Sequence, residues 1–171
     1  MKKHLRAYAF LFPIAGLIVI LDQWTKSIIR SNLAFNELWM PLEWLRPYAR
    51  IVHWQNTGAA FGIAQGKGTF FTILGIIVIG VIVYYFPQIP AEEFFLRLAL
   101  TLQLGGAMGN LVDRLLRGYV TDFISIGNFA VFNVADSCIT VGAGVLLLGM
   151  WLEERKAREI DAEDAQGIQD A

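Results

Sequence analysis

The stretch "FFTILGIIVIGVIVYYF", Phe70 to Phe86, contains no charged residue and decides the fold class of the chain. Because hydrocarbon offers the backbone no hydrogen-bond partner, an apolar run of about this length predicts a helix that crosses a membrane. Similar runs occur elsewhere, and the predicted spans cover residues 8–29, 70–86, 94–111 and 133–152. We therefore expect an all-α membrane protein with four transmembrane helices in one domain, residues 1–152, followed by a charged tail, 153–171, that is predicted to be disordered.

The composition agrees with this assignment and excludes several classes of protein. Of 171 residues, 56% are hydrophobic and 17% charged, and the mean hydropathy is +0.50, more apolar than is usual for soluble domains. A net charge of −1 without a basic block gives no reason to expect nucleic acid as a partner. The single cysteine, Cys138, excludes an intrachain disulfide, and the two histidines, His4 and His53, are too far apart in sequence to suggest a zinc site. We expect neither a metal nor a cofactor.

The first span has a second interpretation. Its start, "MKKHLRAYAFLFPIAGLIVIL", has the basic beginning and apolar stretch of a secretory signal peptide. The polar "DQWTK", Asp22–Lys26, follows instead of a clean small-residue cleavage site, so we expect this span to remain in the protein.

Polar and charged residues collect at one end of the predicted spans. An even number of spans places both termini on the same side of the membrane. The polar and charged residues named below all fall on the opposite side. Ionisable residues in membrane segments are functional-site candidates by default. The candidate site comprises Asp22, Lys26, Asn56, Asn110, Asp113, Arg114, Asp122, Asn133 and Asp136.

Helical spacing relates some of these residues to one another. Asp22 and Lys26 stand at i, i+4 with the acid first, the favourable order for an ion pair, and such a pair could serve only to let a helix end tolerate both charges. Asn110, Asp113 and Arg114 share a face if the third helix continues past its apolar run. That trio could fix a helix end or contact a substrate.

Asp122 and Asp136 could supply chemistry. Two carboxyl groups that approach each other in a poorly solvated site cannot both ionise cheaply, so they share one proton near neutrality. One can then take a proton from water while the other donates to a carbonyl oxygen, which is aspartic protease chemistry with water as the nucleophile. The sequence spacing leaves their proximity open, and Asp136 could equally be an acid favoured by the dipole at a helix start.

Two other classes of function would also use polar residues in a small membrane protein. A proton- or ion-coupled transporter would place buried aspartates near the bilayer midplane, often between repeats, whereas here the acids lie at one face and no repeat is visible. A structural or scaffold protein would leave the convergence of polar residues on one face without a cause.

Four motifs, in order along the chain, resemble the lipoprotein signal peptidases, also called signal peptidase II. They are "DQWTK" (Asp22–Lys26), "QNTGAAFG" (Gln55–Gly62), "GGAMGNLVDRLLRGYVTDFI" (Gly105–Ile124) and "FNVADSCI" (Phe132–Ile139). The match spans nearly the whole membrane region. It does not cover the charged tail or the middle of the long connection from Ser31 to Thr69.

The resemblance implies a bacterial aspartyl endopeptidase of the cytoplasmic (inner) membrane. Such an enzyme removes the signal peptide from diacylglyceryl-modified prolipoproteins, cleaving before the lipidated cysteine. By the family's pattern, Asp122 and Asp136 are the catalytic pair. The positions that support the site or bind substrate are Asp22, Lys26, Asn56, Gly58, Asn110, Asp113, Arg114, Asn133 and Ala135.

The resemblance also implies a topology. Both termini would be cytoplasmic, as the basic "MKKHLR" start weakly favours, and the active site would face the extracytoplasmic side. The long first connection, rich in tryptophan and tyrosine, would form a small β-structured extracytoplasmic cradle against the bilayer surface. The expected partners are prolipoprotein substrates and membrane lipids, and the enzyme is expected to be a monomer.

Overall fold

The computed structural model describes residues 2–58 and 66–169, with side chains for 4–58 and 66–159. The "AAFG" part of the second motif, 59–62, lies outside the described residues, as do 170–171 of the tail. The elements are α1 (Lys2–Asn32), β1 (Leu38–Trp39), a short 3-10 turn (Glu43–Leu45), β2 (Ala49–Asn56), α2 (Gly68–Tyr85), a second 3-10 turn (Phe86–Gln88), α3 (Phe94–Arg117), β3 (Val120–Ile126) and α4 (Val134–Gln169).

The helices confirm the predicted fold class. Within the described chain, four segments are long and apolar enough to cross a membrane: His4–Asn32, Gly68–Gln88, Phe94–Arg117 and Val134–Glu159. Large apolar side chains on α2, such as Ile73, Ile77 and Val81, are about half exposed, as expected of a surface that faces lipid and not water. The chain is therefore a multi-pass membrane protein.

A three-stranded antiparallel sheet in the order β1-β2-β3 sits at one end of the helices. The first connection contributes β1 and β2, as the predicted cradle requires, and the connection between α3 and α4 adds β3. The β2–β3 register places Trp54 opposite Asp122, beside an irregularity between Ile51 and Trp54. Asp122 is therefore held on a strand, and the cradle and the candidate dyad are parts of one sheet.

Close helix packing brings the polar ends together around α3, which packs against α1, α2 and α4. A Cβ at Gly105 would lie 2.8 Å from Cβ of Ile18 on α1, and one at Gly109 would lie 2.7 Å from Asp22 Oδ2. Glycine is required at these positions because the helices approach too closely for a side chain. The same closeness lets the Ala135 N–H of α4 donate to Asp22 Oδ1 of α1 at 3.0 Å.

The ends of α3 and α4 differ from the sequence prediction. The third apolar run ends near residue 111, but α3 continues to Arg117 because Asp113 and the arginines after it find partners there. The fourth span was predicted to end near 152 and to lead into a disordered tail. In the structure α4 continues to Gln169, with i, i+4 ion pairs from Arg155 to Glu159 and from Arg158 to Glu154 on its first charged turns. The disorder expected after a frayed helix stays a prediction.

Candidate active site

The predicted polar residues converge where the ends of α1, α3 and α4 meet the sheet. Lys26 is fully buried, as are Asp22 and Asp113, and Asp122 is only 1% exposed. Charged side chains are almost never buried so completely unless they are paired. Each of these buried charges therefore needs a partner.

Lys26 lies at the centre of the cluster. Its Nζ lies 2.8 Å from Asp22 Oδ2 on its own helix and 3.3 Å from Asp113 Oδ2 on α3. It also donates to Asn110 Oδ1 at 3.0 Å. The predicted i, i+4 pair therefore exists, but it is one side of a network that joins two helices. A buried ammonium needs this full set of acceptors, because desolvation of an unpaired charge is very costly.

Asp113 extends the network to the sheet. Its Oδ1 lies 3.5 Å from Arg30 Nη1 and 3.1 Å from Arg117 Nη1. Its Oδ2 accepts the backbone N–H of Thr121 at 2.9 Å, which fixes β3 one residue before Asp122. The two arginines and Thr121 were not among the predicted residues. Arg117 lies four residues after Asp113 on the same helix, so helical spacing carried a signal for it. Arg30 pairs with Asp113 across two helices, and no local spacing indicated that contact.

The two candidate catalytic carboxyl groups are linked by one asparagine. Asn133 donates its side-chain amide to Asp122 Oδ1 at 2.6 Å, and its backbone N–H to Asp136 Oδ2 at 3.2 Å. The second oxygen of Asp122 accepts from Asn56 Nδ2 at 2.9 Å. The second oxygen of Asp136 accepts from Asn110 Nδ2 at 2.8 Å. Each carboxyl group is thus oriented by two donors.

The motif "NVAD" folds as a reciprocal helix cap. Asn133 precedes the first residue of α4, and its Oδ1 accepts the backbone N–H of Asp136 at 2.9 Å. In turn, Asp136 Oδ2 accepts the backbone N–H of Asn133. This exchange is the capping-box arrangement, in which residues three apart satisfy each other's free backbone N–H groups. Asp136 is therefore a helix-start acid and also a member of the polar cluster, so the two interpretations of this residue are compatible.

The oxygen of each asparagine amide is already occupied. Asn110 Oδ1 accepts from Lys26 and, at 3.2 Å, from Asn133 Nδ2. Asn56 Oδ1 accepts the Gly58 N–H at 2.9 Å, and Asn133 Oδ1 caps α4. Because the oxygens face other donors, the NH₂ groups must face the carboxyl groups. This explains why three asparagines surround two acids.

Asp122 has an unusual acidity. Burial, and after it the negative charge of Asp136, raise the pKa of the Asp122 carboxyl to about 7. The hydrogen bonds from Asn56 and Asn133 and the positive charge of Lys26 act in the opposite direction. A carboxyl group that titrates near neutrality beside a second acid can exist in both forms at physiological pH. The pair can therefore hold a single proton, as general acid–base chemistry needs.

A cavity of about 510 Å³ opens over the two carboxyl groups. Asp122 and Asp136 form part of its lining, which also includes apolar side chains such as Phe132, Ile139 and Val141. Arg114 and Gly58, two further predicted site residues, line the same cavity. Asp22, Lys26, Asp113 and Ala135 are buried behind it. The predicted set thus divides into residues that face the cavity and residues that support them.

Comparison with known proteins gives a consistent result. Residues 14–152 match the family model described as signal peptidase (SPase) II. The chain is 40% identical over 148 residues to a lipoprotein signal peptidase of Shouchella clausii, covering 86% of this chain and 96% of that protein. It is 42% identical over 153 residues to one of Halalkalibacterium halodurans, with the same coverage of both chains. A solved bacterial membrane enzyme superposes with a TM-score of 0.76 at 35% identity, covering 84% of this chain and 88% of that one.

The ionic cluster predicts a specific pattern of stability. Lys26→Met leaves Asp22 and Asp113 buried with less positive charge, so we expect a loss of about 3–5 kcal/mol. Adding Asp22→Asn to Lys26→Met removes one of the uncompensated acids and should restore part of the loss, because the two residues are coupled. Unfolding of the detergent-solubilised variants measures this. Lys67→Met, which changes an exposed lysine, is the control. Equal stability of the Lys26 and Lys67 variants would contradict the assignment.

Proposed function

The chain belongs to the signal peptidase II family, whose members are aspartic peptidases that remove the signal peptide from prolipoproteins, and we propose that Asp122 and Asp136 are its catalytic pair. One observation carries the proposal: Asn133 donates to both carboxyl groups, and both line one cavity. A family of this activity needs two acids that share a proton, and the raised pKa of Asp122 supplies that condition.

The proposed reaction uses water as the nucleophile. The ionised carboxylate of the pair takes a proton from a water molecule, and the water oxygen attacks the scissile carbonyl carbon. The protonated partner donates its proton to the carbonyl oxygen, so a neutral tetrahedral diol forms. When the C–N bond breaks, the proton taken from water passes to the leaving amine, and the other carboxylate takes a proton from one hydroxyl of the diol. A carboxylic acid and an amine are released, and the pair again holds one proton. Because Asn133 donates to both carboxyl groups, we assign the initial proton to the pair and not to either residue.

The asparagines act as positioning residues in this proposal. Asn56, Asn110 and Asn133 hold the carboxyl groups by the four donors described above, and Lys26 fixes the amide of Asn110. Preorganised groups of this kind need no rearrangement when the reaction occurs. Asp22, Asp113 and Ala135 support them from behind. The positive charge of Lys26 also favours the ionised form of Asp122.

Arg114 and Gly58 are proposed to contact the substrate, because both line the cavity beside the dyad. The guanidinium of Arg114 lies 5.7 Å from the ring centroid of Phe71 on α2, which holds it at the cavity wall. The apolar side of the cavity suits a substrate anchored by acyl chains. The acyl chains of a diacylglyceryl-modified cysteine hold it at the membrane surface. The peptide bond before this cysteine can therefore reach carboxyl groups near the ends of the helices, but not carboxyl groups at mid-span.

The proposed location is the bacterial inner membrane, with both termini cytoplasmic and the dyad on the extracytoplasmic side. The basic start of α1 supports this orientation. The exposed aromatic residues Trp39, Trp44 and Tyr48 near the sheet support a position of the sheet at a membrane–water interface. Residues 1–152 would form the peptidase domain, with membrane lipids around its exposed apolar faces. We propose a monomer as the active form, because described residues of a single chain supply both carboxyl groups and their four hydrogen-bond donors.

Replacing either acid should abolish cleavage. We expect Asp122→Asn and Asp136→Asn each to lower the rate by about a thousandfold, the scale of a lost acid–base group. The assay is cleavage of a diacylglyceryl-modified prolipoprotein peptide by purified enzyme, with Glu43→Gln, an exposed acid near the sheet, as control. Thermal unfolding establishes that the variants fold. Near-normal cleavage by either folded variant would refute the dyad, and a folded but inactive parent enzyme would refute the function itself.

The pH dependence of cleavage should follow Asp122. As the pH rises through its pKa of about 7, the pair loses its shared proton, so kcat/KM should fall on the alkaline side near pH 7. Asn56→Ala removes a hydrogen bond that lowers this pKa, so the alkaline limb should move to higher pH. A pH profile of kcat/KM measures both effects, with Asn32→Ala, an exposed asparagine, as control. A limb that stays in place or moves to lower pH would contradict the assignment.

The orientation has its own test. In a Cys138→Ser background, Asn128→Cys places a thiol in the exposed turn beyond β3, and Arg158→Cys places one on the exposed surface of α4. In spheroplasts, a membrane-impermeant maleimide should label the first directly and the second only after permeabilisation. The reverse labelling pattern would overturn the proposed topology.

A further inference from the structure

A second cavity, of about 450 Å³, lies at the opposite end of the helices from the dyad. It opens between the start of α1, the turn after α2 and the start of α3, and two arginines line it, Arg6 and Arg97. Arg97 precedes Asn110 by thirteen residues on α3, which is about 20 Å along a helix. The cavity is therefore separate from the site of peptide cleavage.

Arg97 is 9% exposed, and a backbone carbonyl and two aromatic rings contact its guanidinium. Its Nη1 donates to the Ile89 carbonyl at 3.3 Å, and its guanidinium carbon lies 5.4 Å and 4.9 Å from the ring centroids of Phe10 and Phe86. Among the side chains of 4–58 and 66–159, no carboxylate lies within ion-pair distance of it. Glu93, one helical turn earlier, interacts with Glu153 on α4.

A buried guanidinium is always charged and carries five N–H donors, so it normally has an anionic partner. The burial and the missing carboxylate together point to an anion from outside the chain. Arg6 is exposed on the facing wall and adds a second positive charge. The remaining lining is apolar, with Ala7, Phe10, Pro87 and Ile89, and Phe94 at the rim is 53% exposed.

We propose that this cavity binds the phosphate headgroup of an anionic phospholipid at the membrane face opposite Asp122 and Asp136. Arginine binds phosphate through paired, charge-assisted hydrogen bonds, and basic pockets between membrane helices are suited to anionic headgroups. The apolar lining and the exposed Phe94 give the acyl chains a surface beside the phosphate. A soluble phosphate compound would contact only the two arginines, whereas a phospholipid would contact the arginines and the apolar lining.

The experiment is a lipid titration of purified full-length protein in detergent, followed by thermal unfolding. The probe is phosphatidylglycerol, compared with phosphatidylcholine of the same acyl chains and with soluble glycerol 3-phosphate. We expect phosphatidylglycerol to raise the Tm in a saturable way and the other two to have little effect. In Arg97→Gln the concentration for half of this rise should increase about tenfold or more, as expected for loss of a hydrogen bond to a charged group.

Two further variants keep the test decisive if Arg97→Gln does not fold. Ala91→Trp fills the cavity and leaves both arginines in place, and Arg6→Gln removes the exposed charge. Both should weaken the phosphatidylglycerol effect, whereas Arg158→Gln, an exposed arginine paired with Glu154 on α4, should leave it unchanged. An unaltered response in Ala91→Trp and Arg6→Gln would overturn the proposal. An equal rise with phosphatidylcholine would do the same, and a full rise with glycerol 3-phosphate would assign the cavity to a soluble anion instead.

Discussion

The buried ammonium of Lys26 is the constraint on which the rest of the structure depends. It is compensated by Asp22 on its own helix and by Asp113 and Asn110 on α3. Asp22 in turn accepts the Ala135 N–H at the start of α4, and Asp113 accepts a backbone N–H of β3. The charge can leave water at an acceptable cost only when all these elements are in place. One ammonium thus specifies how three helices and a strand meet.

The network that compensates the charge of Lys26 also orients the carboxyl groups of Asp122 and Asp136. Lys26 holds the oxygen of Asn110, which turns the amide nitrogen toward Asp136, and Asn133 connects that amide to Asp122. Packing glycines such as Gly109 make the arrangement possible, since a side chain there would displace the Asp22 carboxylate. The residues that stabilise this end of the protein are therefore also the residues that orient the two proposed catalytic carboxyl groups.

The local sequence pattern was sufficient to predict the four helical spans. Apolar runs predicted the spans, and the four-residue spacing of Asp22 and Lys26 predicted their ion pair, because both signals are contained within one helix. Strand β3 was not predicted, since Asp122 becomes part of a strand only through pairing with Trp54, far away in the sequence. The end of α3 was missed because charged residues lengthen that helix through tertiary partners. The orientation of the asparagine amides depends on donors from several elements, which no local pattern contains.

The cap at the start of α4 has a consequence for the order in which the chain is made. Asn133 and Asp136 begin the last of the spans, so a ribosome delivers them after α1, α2, α3 and β3 have already been synthesised. A nascent chain that stops short of this point holds Asp122 without its partner acid and without the amide that orients it. The turn that starts the final helix is also the turn that completes the pair of acids. A truncated product would therefore lack the proposed catalytic pair, and Asp22 would also lack the Ala135 N–H that it accepts in the full chain.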